Sequence, residues 1–273
     1  MIEAIRSAAD FLIDKGVIEP RIGVILGTGL GNLATRVDAE IEVPYTDIPG
    51  FPEATVEFHK GKLVYGAIGG ARVLVMQGRY HFYEGYKMQQ IAFPVQVMKT
   101  LGIHTVLISN AAGCLNLEWK KGELMLIRDH INTFPGNPLI GPNDRAIGRR
   151  FPDMSEAYSR NLREKIKAIA TEKRISLREG IYVAAQGPML ETPSEYRYLK
   201  RLGGDAVGMS TIPEVIAANH CGLKVLAVSV LTDECDPDNL KPVNIEEIIQ
   251  VAGDAEKKLT GLFVELIKEL GNE

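Results

Sequence analysis

The sequence predicts an α/β fold in which one domain, residues 1–273, is built on a largely parallel or mixed sheet flanked by helices. Three observations carry that reading. Short apolar runs alternate with helical patterns along the whole chain. Several runs are apolar at nearly every position, as strands covered on both faces must be. No polar linker or internal repeat divides a length that suffices for a full-sized core.

The first segment places Ile2, Ile5, Ala9 and Leu12 at helical spacing and stops at Gly16. RIGVILG, from Arg21 to Gly27, is a short apolar strand that runs into a glycine-rich turn. KLVYGAIGG and RVLVMQG read as two strands joined by a tight turn. A helix is predicted over Met88 to Lys99, then a strand from Thr105 through TVLISNAAG and another through ELMLIRDHIN. After the Gly/Pro/Asn-rich connection TFPGNPLIGPNDR come a helix from Ser155 to about Thr171 and the strand GIYVAAQGP. ETPSEYRYLKRLG begins with cap residues and becomes a helix. DAVGMS is a short strand, IPEVIAANHCG a helix and LKVLAVSVLTDE a buried strand. The last helix, roughly Ile245 to Leu270, carries the stripe Ile249, Leu262, Leu266 and Leu270.

Composition excludes several classes. A formal charge of -4 leaves no basic surface for broad nucleic-acid binding, although a local anion pocket stays open. Cys114, Cys221 and Cys235 form no C-x-x-C pair and are odd in number, which argues against a disulfide framework and for a reducing cytoplasm. Glu3, Arg6, Asp10 and Asp14 interrupt the N-terminal segment, so it has no signal-peptide core. No run approaches the roughly 20 apolar residues of a membrane span.

In open α/β sheets, ligands gather where strand ends release their loops, and the polar signals of this chain stand there. GTGLGN, from Gly27, follows a strand and could offer backbone N–H groups and the Thr28 hydroxyl to an anion. Its G-x-G-x-G spacing is neither a dinucleotide fingerprint nor a P-loop, and a plain tight turn explains it equally well. QGRYHFYEGY concentrates Arg79, His81, Tyr83 and Tyr86 after a strand. Arg79 suits a bidentate grip on phosphate and His81 a hydrogen bond to phosphate or sugar; the plainer reading is a charged surface turn. His59 steadies the anion or is an ordinary exposed histidine, with nothing local to decide. His104 and His220 read as structural. Asn110 and Ala111 end an apolar strand where a ligand can approach the backbone. Glu191 could accept two donors from a flat heterocycle, or serve as the N-terminal carboxylate of the following helix. Met209 defaults to packing and could floor a sugar. No metal-ligand spacing and no G-x-S-x-G are present, and a Cys114–His130 thiol pair has no activating signal.

Taken in order and spacing, GVILGTGLG, FPEATVEFHKG, MQGRYHFYEGY, SNAAG, LIRDHIN, NPLIGPND, RFPDMSEAY, GPMLET and DAVGMSTIPEV resemble the trimeric, low-molecular-mass purine nucleoside phosphorylases over about residues 1–270. The resemblance implies a mixed, partly barrel-like sheet in a homotrimer. It also implies phosphorolysis of purine nucleosides, preferably inosine and guanosine, with phosphate as co-substrate and no cofactor or metal. Thr28, Arg79, His81 and Ser210 would hold phosphate, with His59 nearby and the Ala111 backbone contributing. Tyr83 and Met209 would contact ribose. Asn110, Leu190, Glu191, Val207 and Asp233 would surround the base, and Phe151 would reach a neighbouring subunit's site. His81, Glu191 and Asp233 are the residues expected to carry the chemistry.

Two positions depart from that family. Asp233 stands where an asparagine donor is expected; an ionised carboxylate only accepts, which suits a 6-amino group. Ile245 falls near a histidine that contacts the ribose 5′-hydroxyl and leans toward a less polar 5′ group. Both departures resemble methylthioadenosine phosphorylases, an alternative that stays open beside the inosine/guanosine reading, which Glu191 favours. An NAD-dependent dehydrogenase and a non-catalytic nucleoside-binding module are the distant alternatives. The first has a misspaced fingerprint, and the second leaves the phosphate residues without a purpose.

Overall fold

In the computed structural model, which describes residues 2–28, 30–56 and 59–273, helices and strands follow the predicted order. They are α1 (Ile2–Asp14), β1 (Ile22–Leu26), β2 (Asp38–Pro44), β3 (Lys62–Ile68), β4 (Ala71–Gln77) and α2 (Met88–Thr100). Then come β5 (Thr105–Cys114), β6 (Leu124–Asn132), α3 (Arg160–Glu172), β7 (Leu177–Ala184), α4 (Pro193–Arg201), β8 (Ala206–Gly208), α5 (Ile212–His220), β9 (Lys224–Glu234) and α6 (Ile245–Gly271).

The strands form one mixed sheet of order β2-β3-β4-β1-β5-β8-β7-β6-β9, and β9 pairs again with β5. That pairing closes β5, β8, β7, β6 and β9 into a ring, the barrel part of the sheet, and leaves β1 to β4 as an open wing. β5 runs parallel to both β1 and β9, so their C-terminal ends open on the same side. On β5 and β9 alternate residues enter different cores: Val106 and Ile108 join one cluster with α1, α2 and α5, while Leu107 joins another with α3 and α6. Burial on both faces explains the near-continuous apolar runs.

β3 and β4 meet in a two-residue turn whose Gly69 and Gly70 have φ of +57° and +86°. Both residues of such a hairpin turn need positive φ, which glycine adopts freely.

Two local readings change. The sequence reading has no strand at β2; its DAEIEVP sequence is mostly exposed at the sheet edge, where Asp38, Glu40 and Glu42 interrupt any apolar run. Helix α3 begins at Arg160, not Ser155. Asp153 accepts the Ser155 N–H at 2.8 Å and Glu156 accepts the Arg160 N–H at 2.9 Å, so acidic side chains take the backbone donors of a non-helical segment that buries Ala157 and Tyr158.

Candidate active site

The open ends of β1, β4, β5, β8 and β9 surround a cavity of about 350 Å³ that is closed on one side by the start of α6. Every residue predicted from sequence lines it except His59 and Phe151.

One end suits an anion. Gly27 ends β1 against β5: a Cβ there would lie 2.8 Å from the Ser109 carbonyl oxygen, so only glycine lets the chain pass. Thr28 follows at the cavity wall. Arg79, from the end of β4, is 1% exposed. Its Nη1 donates to Ser109 O and Ser210 Oγ, both at 3.0 Å, and lies 3.3 Å from Thr211 Oγ1. Its Nε lies 2.9 Å from Glu214 Oε1 on α5, a carboxylate 2% exposed. Sequence reasoning missed Glu214. The signal was an acid inside the otherwise apolar IPEVIAA, because a buried carboxylate requires a partner.

Thr211 has φ +72°, a costly conformation for a β-branched residue. It sets Oγ1 where Asn110 Nδ2 donates to it at 2.9 Å. The Asn110 side chain is thereby engaged beside Arg79, at the anion end of the cavity.

The QGRYHFYEGY segment is no surface turn. Glu84 Oε1 accepts the His81 backbone N–H at 2.7 Å and contacts Nδ1 at 2.8 Å, while Oε2 accepts from Thr55 Oγ1 at 2.5 Å. Burial pushes the Glu84 carboxyl up, but the hydrogen bonds from His81 and Thr55 outweigh it and hold the group below its ordinary value. With Nδ1–H donating to Glu84, His81 Nε2 is left for the cavity. Its ring stacks on Tyr83, centroids 4.6 Å apart, and on His59 at 5.3 Å. Burial pushes the Tyr83 phenol up to about 12, so it stays a neutral donor.

His59 stands behind the wall. Its Nδ1 is 3.0 Å from the Arg79 carbonyl oxygen and its Nε2 3.3 Å from Thr28 Oγ1. Burial, then the neighbouring His81 and Arg79 charges, depress its pKa to about 4. It is therefore a neutral partner of Thr28 at pH 7. Because the folded value lies below the ordinary 6.5, stability is intact above 6.5 and is lost as pH falls toward 4. The wild-type melting temperature is expected to fall more steeply between pH 7 and 4.5 than that of His59→Gln; parallel curves would remove His59 from the acid response.

The opposite end suits a heterocycle. Thr192 caps α4: its hydroxyl accepts the Glu195 N–H at 3.3 Å and Glu195 Oε2 accepts the Thr192 N–H at 2.7 Å. Glu195 thus closes the capping box, and Glu191 is free to face the cavity. Burial raises the Glu191 pKa, and the charge of Asp233 adds to the effect. Asp233 Oδ1 accepts from the Thr232 hydroxyl at 2.8 Å and Oδ2 from the Cys235 thiol at 3.4 Å. Leu190, Val207 and Met209 supply apolar walls, and Ile245, Ile248 and Ile249 of α6 close the side between the two ends.

Other signals resolve as structure. Cys114 donates to Asn116 O at 3.2 Å, burial pushes its pKa up to about 11, and His130 bonds instead to Tyr158 at 2.9 Å. His220 meets Asn143 at 2.9 Å. Among the described residues no group of His, Cys, Asp and Glu is arranged to hold a metal, and no helix is long and apolar enough to cross a membrane. Phe151 lies outside the cavity, 86% exposed, beneath the Arg150 guanidinium.

Comparison with known proteins agrees with this geometry. The model of the phosphorylase superfamily matches residues 21–268. Purine nucleoside phosphorylase 1 of Geobacillus stearothermophilus is 49% identical, over 98% of this chain and 96% of that one. The Schistosoma mansoni purine nucleoside phosphorylase in complex with adenosine superimposes with a TM-score of 0.93 at 42% identity, covering 98% of both chains. The same enzyme in complex with inosine gives 0.92 at 42% identity, covering 98% of this chain and 96% of that one. The chain therefore belongs to the phosphorylase superfamily and, within it, to the purine nucleoside phosphorylases. An enzyme of this kind splits a purine nucleoside with phosphate into the free base and a pentose 1-phosphate.

Proposed function

We propose that Thr28, Arg79, His81, Ser210 and the Ala111 backbone hold phosphate, that Tyr83, Met209 and Ile245 border the pentose, and that Leu190, Glu191, Val207 and Asp233 hold the base. The observation that supports this best is the polarity of one continuous cavity: the guanidinium and His81 at one end, two carboxyls at the other.

Phosphate placed by Arg79 and Ser210 lies beneath C1′ while the glycosidic bond lengthens toward an oxocarbenium-like state. The gain comes from groups already fixed by protein bonds, with no covalent enzyme intermediate. The His81 Nε2 and the Thr28 hydroxyl complete the anion's hydrogen bonds. The departing purine accumulates negative charge, which a donor at N7 or O6 stabilises. No cofactor or metal takes part; phosphate is the co-substrate.

Inosine and guanosine are the preferred substrates, because the Glu191 carboxylate pairs with N1–H and, in guanine, with the 2-amino group. A second reading, adenosine or 5′-methylthioadenosine, is favoured by Asp233, which already accepts two protein hydrogen bonds and so faces the base as an acceptor, and by the apolar Ile245. Values of kcat/KM at pH 7 for all four nucleosides, with and without saturating phosphate, decide between them. Phosphate-dependent preference for the 6-oxo pair supports the first reading; preference for the 6-amino pair supports the second.

Asp233→Asn is expected to raise the inosine-to-adenosine ratio of kcat/KM about tenfold, since an amide donor replaces an acceptor near N7 and O6. An unchanged ratio would remove Asp233 from base selection.

The chain works as a single domain in a cytoplasmic homotrimer. The Phe151 ring, 86% exposed, supports the assembly, because a large exposed aromatic side chain suits an interface. Sedimentation of Phe151→Ala against wild type, with kcat/KM beside it, tests whether this ring completes a neighbour's site.

A further inference from the structure

We propose that Glu256, in the middle of α6, is a positioning residue for the anion loop: it fixes the loop through Asn32 to the same helix whose first turns wall the nucleoside cavity. The inference rests on the assignment of that loop to phosphate.

Glu256 is 2% exposed on the face of α6 that buries Ala252, Ala255, Leu259 and Phe263. Such a position is costly for a carboxylate without full hydrogen bonding. Both of its oxygens are used on one residue: Oε1 accepts the Asn32 backbone N–H and Oε2 accepts Asn32 Nδ2, each at 2.5 Å. Asn32 opens the 3-10 turn Asn32–Arg36, and its cap residue, Gly31, has no side chain to satisfy the turn's N–H groups. A carboxylate from a distant helix takes the first of them instead.

Gly27, Leu30 and Gly31 of the same segment are held as well. Gln77 Nε2 donates to Gly31 O at 3.2 Å, Gly27 N donates to Ser109 Oγ at 3.3 Å, and Leu30 is 1% exposed in the core shared with α6. A loop that binds an anion through its own N–H groups and one hydroxyl gains only if these are aimed before the ligand arrives. Glu256 supplies that aim at the loop's downstream end. At its other end, α6 presents Ile245, Ile248 and Ile249 to the cavity. One rigid element thus spaces the phosphate loop from the pentose wall.

The experiment uses the full chain with Glu256→Ala, Glu256→Gln, Asn32→Ala, the Asn32→Ala/Glu256→Ala double variant and Thr28→Val. Phosphate is varied at saturating inosine, then inosine at saturating phosphate; melting temperatures are recorded alongside. Glu256→Ala is expected to raise KM for phosphate about tenfold while KM for inosine changes less than about twofold. Glu256→Gln keeps one acceptor and falls between, and the double variant is no worse than Glu256→Ala, as a shared interaction requires. A lowered melting temperature with unchanged phosphate KM, or an equal rise in both KM values, overturns the proposal. If Glu256→Ala does not fold, Glu256→Gln and Asn32→Ala carry the same comparison. Thr28→Val separates the two levels: no change in phosphate KM there sinks the loop assignment itself. A rise with Thr28→Val but none with the Glu256 variants sinks only the role of Glu256.

Discussion

Replacing Arg79 by alanine is expected to cost about 3–5 kcal/mol of folding stability and to lower phosphate-dependent kcat/KM by about two to three orders of magnitude. The two losses have different origins. Arg79 and Glu214 are both almost wholly buried and stand 2.9 Å apart, so removing the guanidinium leaves a carboxylate in the core without its counter-charge. Removing it also deprives the cavity of the one donor that Ser210, Thr211 and the Ser109 carbonyl hold in place. A double replacement, Arg79→Met with Glu214→Leu, restores a packed apolar pair and should recover most of the stability measured by urea unfolding, because buried ion pairs rarely outdo apolar packing of equal volume. Phosphorolysis should stay lost. Recovery of both together would show that Arg79 serves the fold alone.

Glu191→Ala is expected to lower kcat/KM for inosine by about 2–4 kcal/mol, roughly thirtyfold to a thousandfold, with guanosine hit harder than inosine. Guanine presents two donors to that carboxylate and hypoxanthine one. The same residue gives base preference a pH dependence. Burial, with Asp233 adding to it, raises the Glu191 pKa, so its carboxyl takes up a proton at higher pH than an exposed glutamate. The protonated form donates, which suits the bare N1 of adenine and opposes N1–H of hypoxanthine. The adenosine-to-inosine ratio of kcat/KM should therefore rise as the wild type is taken from neutral to acid pH and stay flat in Glu191→Gln. A flat wild-type profile would place Glu191 away from N1.

The site was legible wherever chemistry sits beside a strand end. Thr28, Arg79, His81, Asn110, Ser210 and Asp233 all follow or end runs that read as strands, and the structure brings them to one cavity. Illegible were the groups that work through another residue. Glu214 lies far along the chain from Arg79, Glu256 far from Asn32, and nothing in local spacing announces either pairing. Glu84 lay within reach, three residues after His81 in a segment already singled out, but a nearby acid on a loop is ordinarily solvated. Glu191 could not be separated from a helix cap until Thr192 and Glu195 were seen to close the capping box between themselves.

By itself the sequence determined the alternation of strands and helices, the two-sided burial of β5 and β9, the glycine turn between β3 and β4, and the polar residues at strand ends that line the cavity. These follow from periodicity, steric limits and side-chain chemistry, which act within a few residues. Only the tertiary structure decided that β9 returns to β5 and closes the ring, that β2 pairs at the open edge, and that Arg79 and His81 each have a carboxylate behind them. Those outcomes depend on which surfaces meet across the chain: a hydrogen bond or ion pair between distant segments gains its strength from shared burial, and burial is a property of the packed whole.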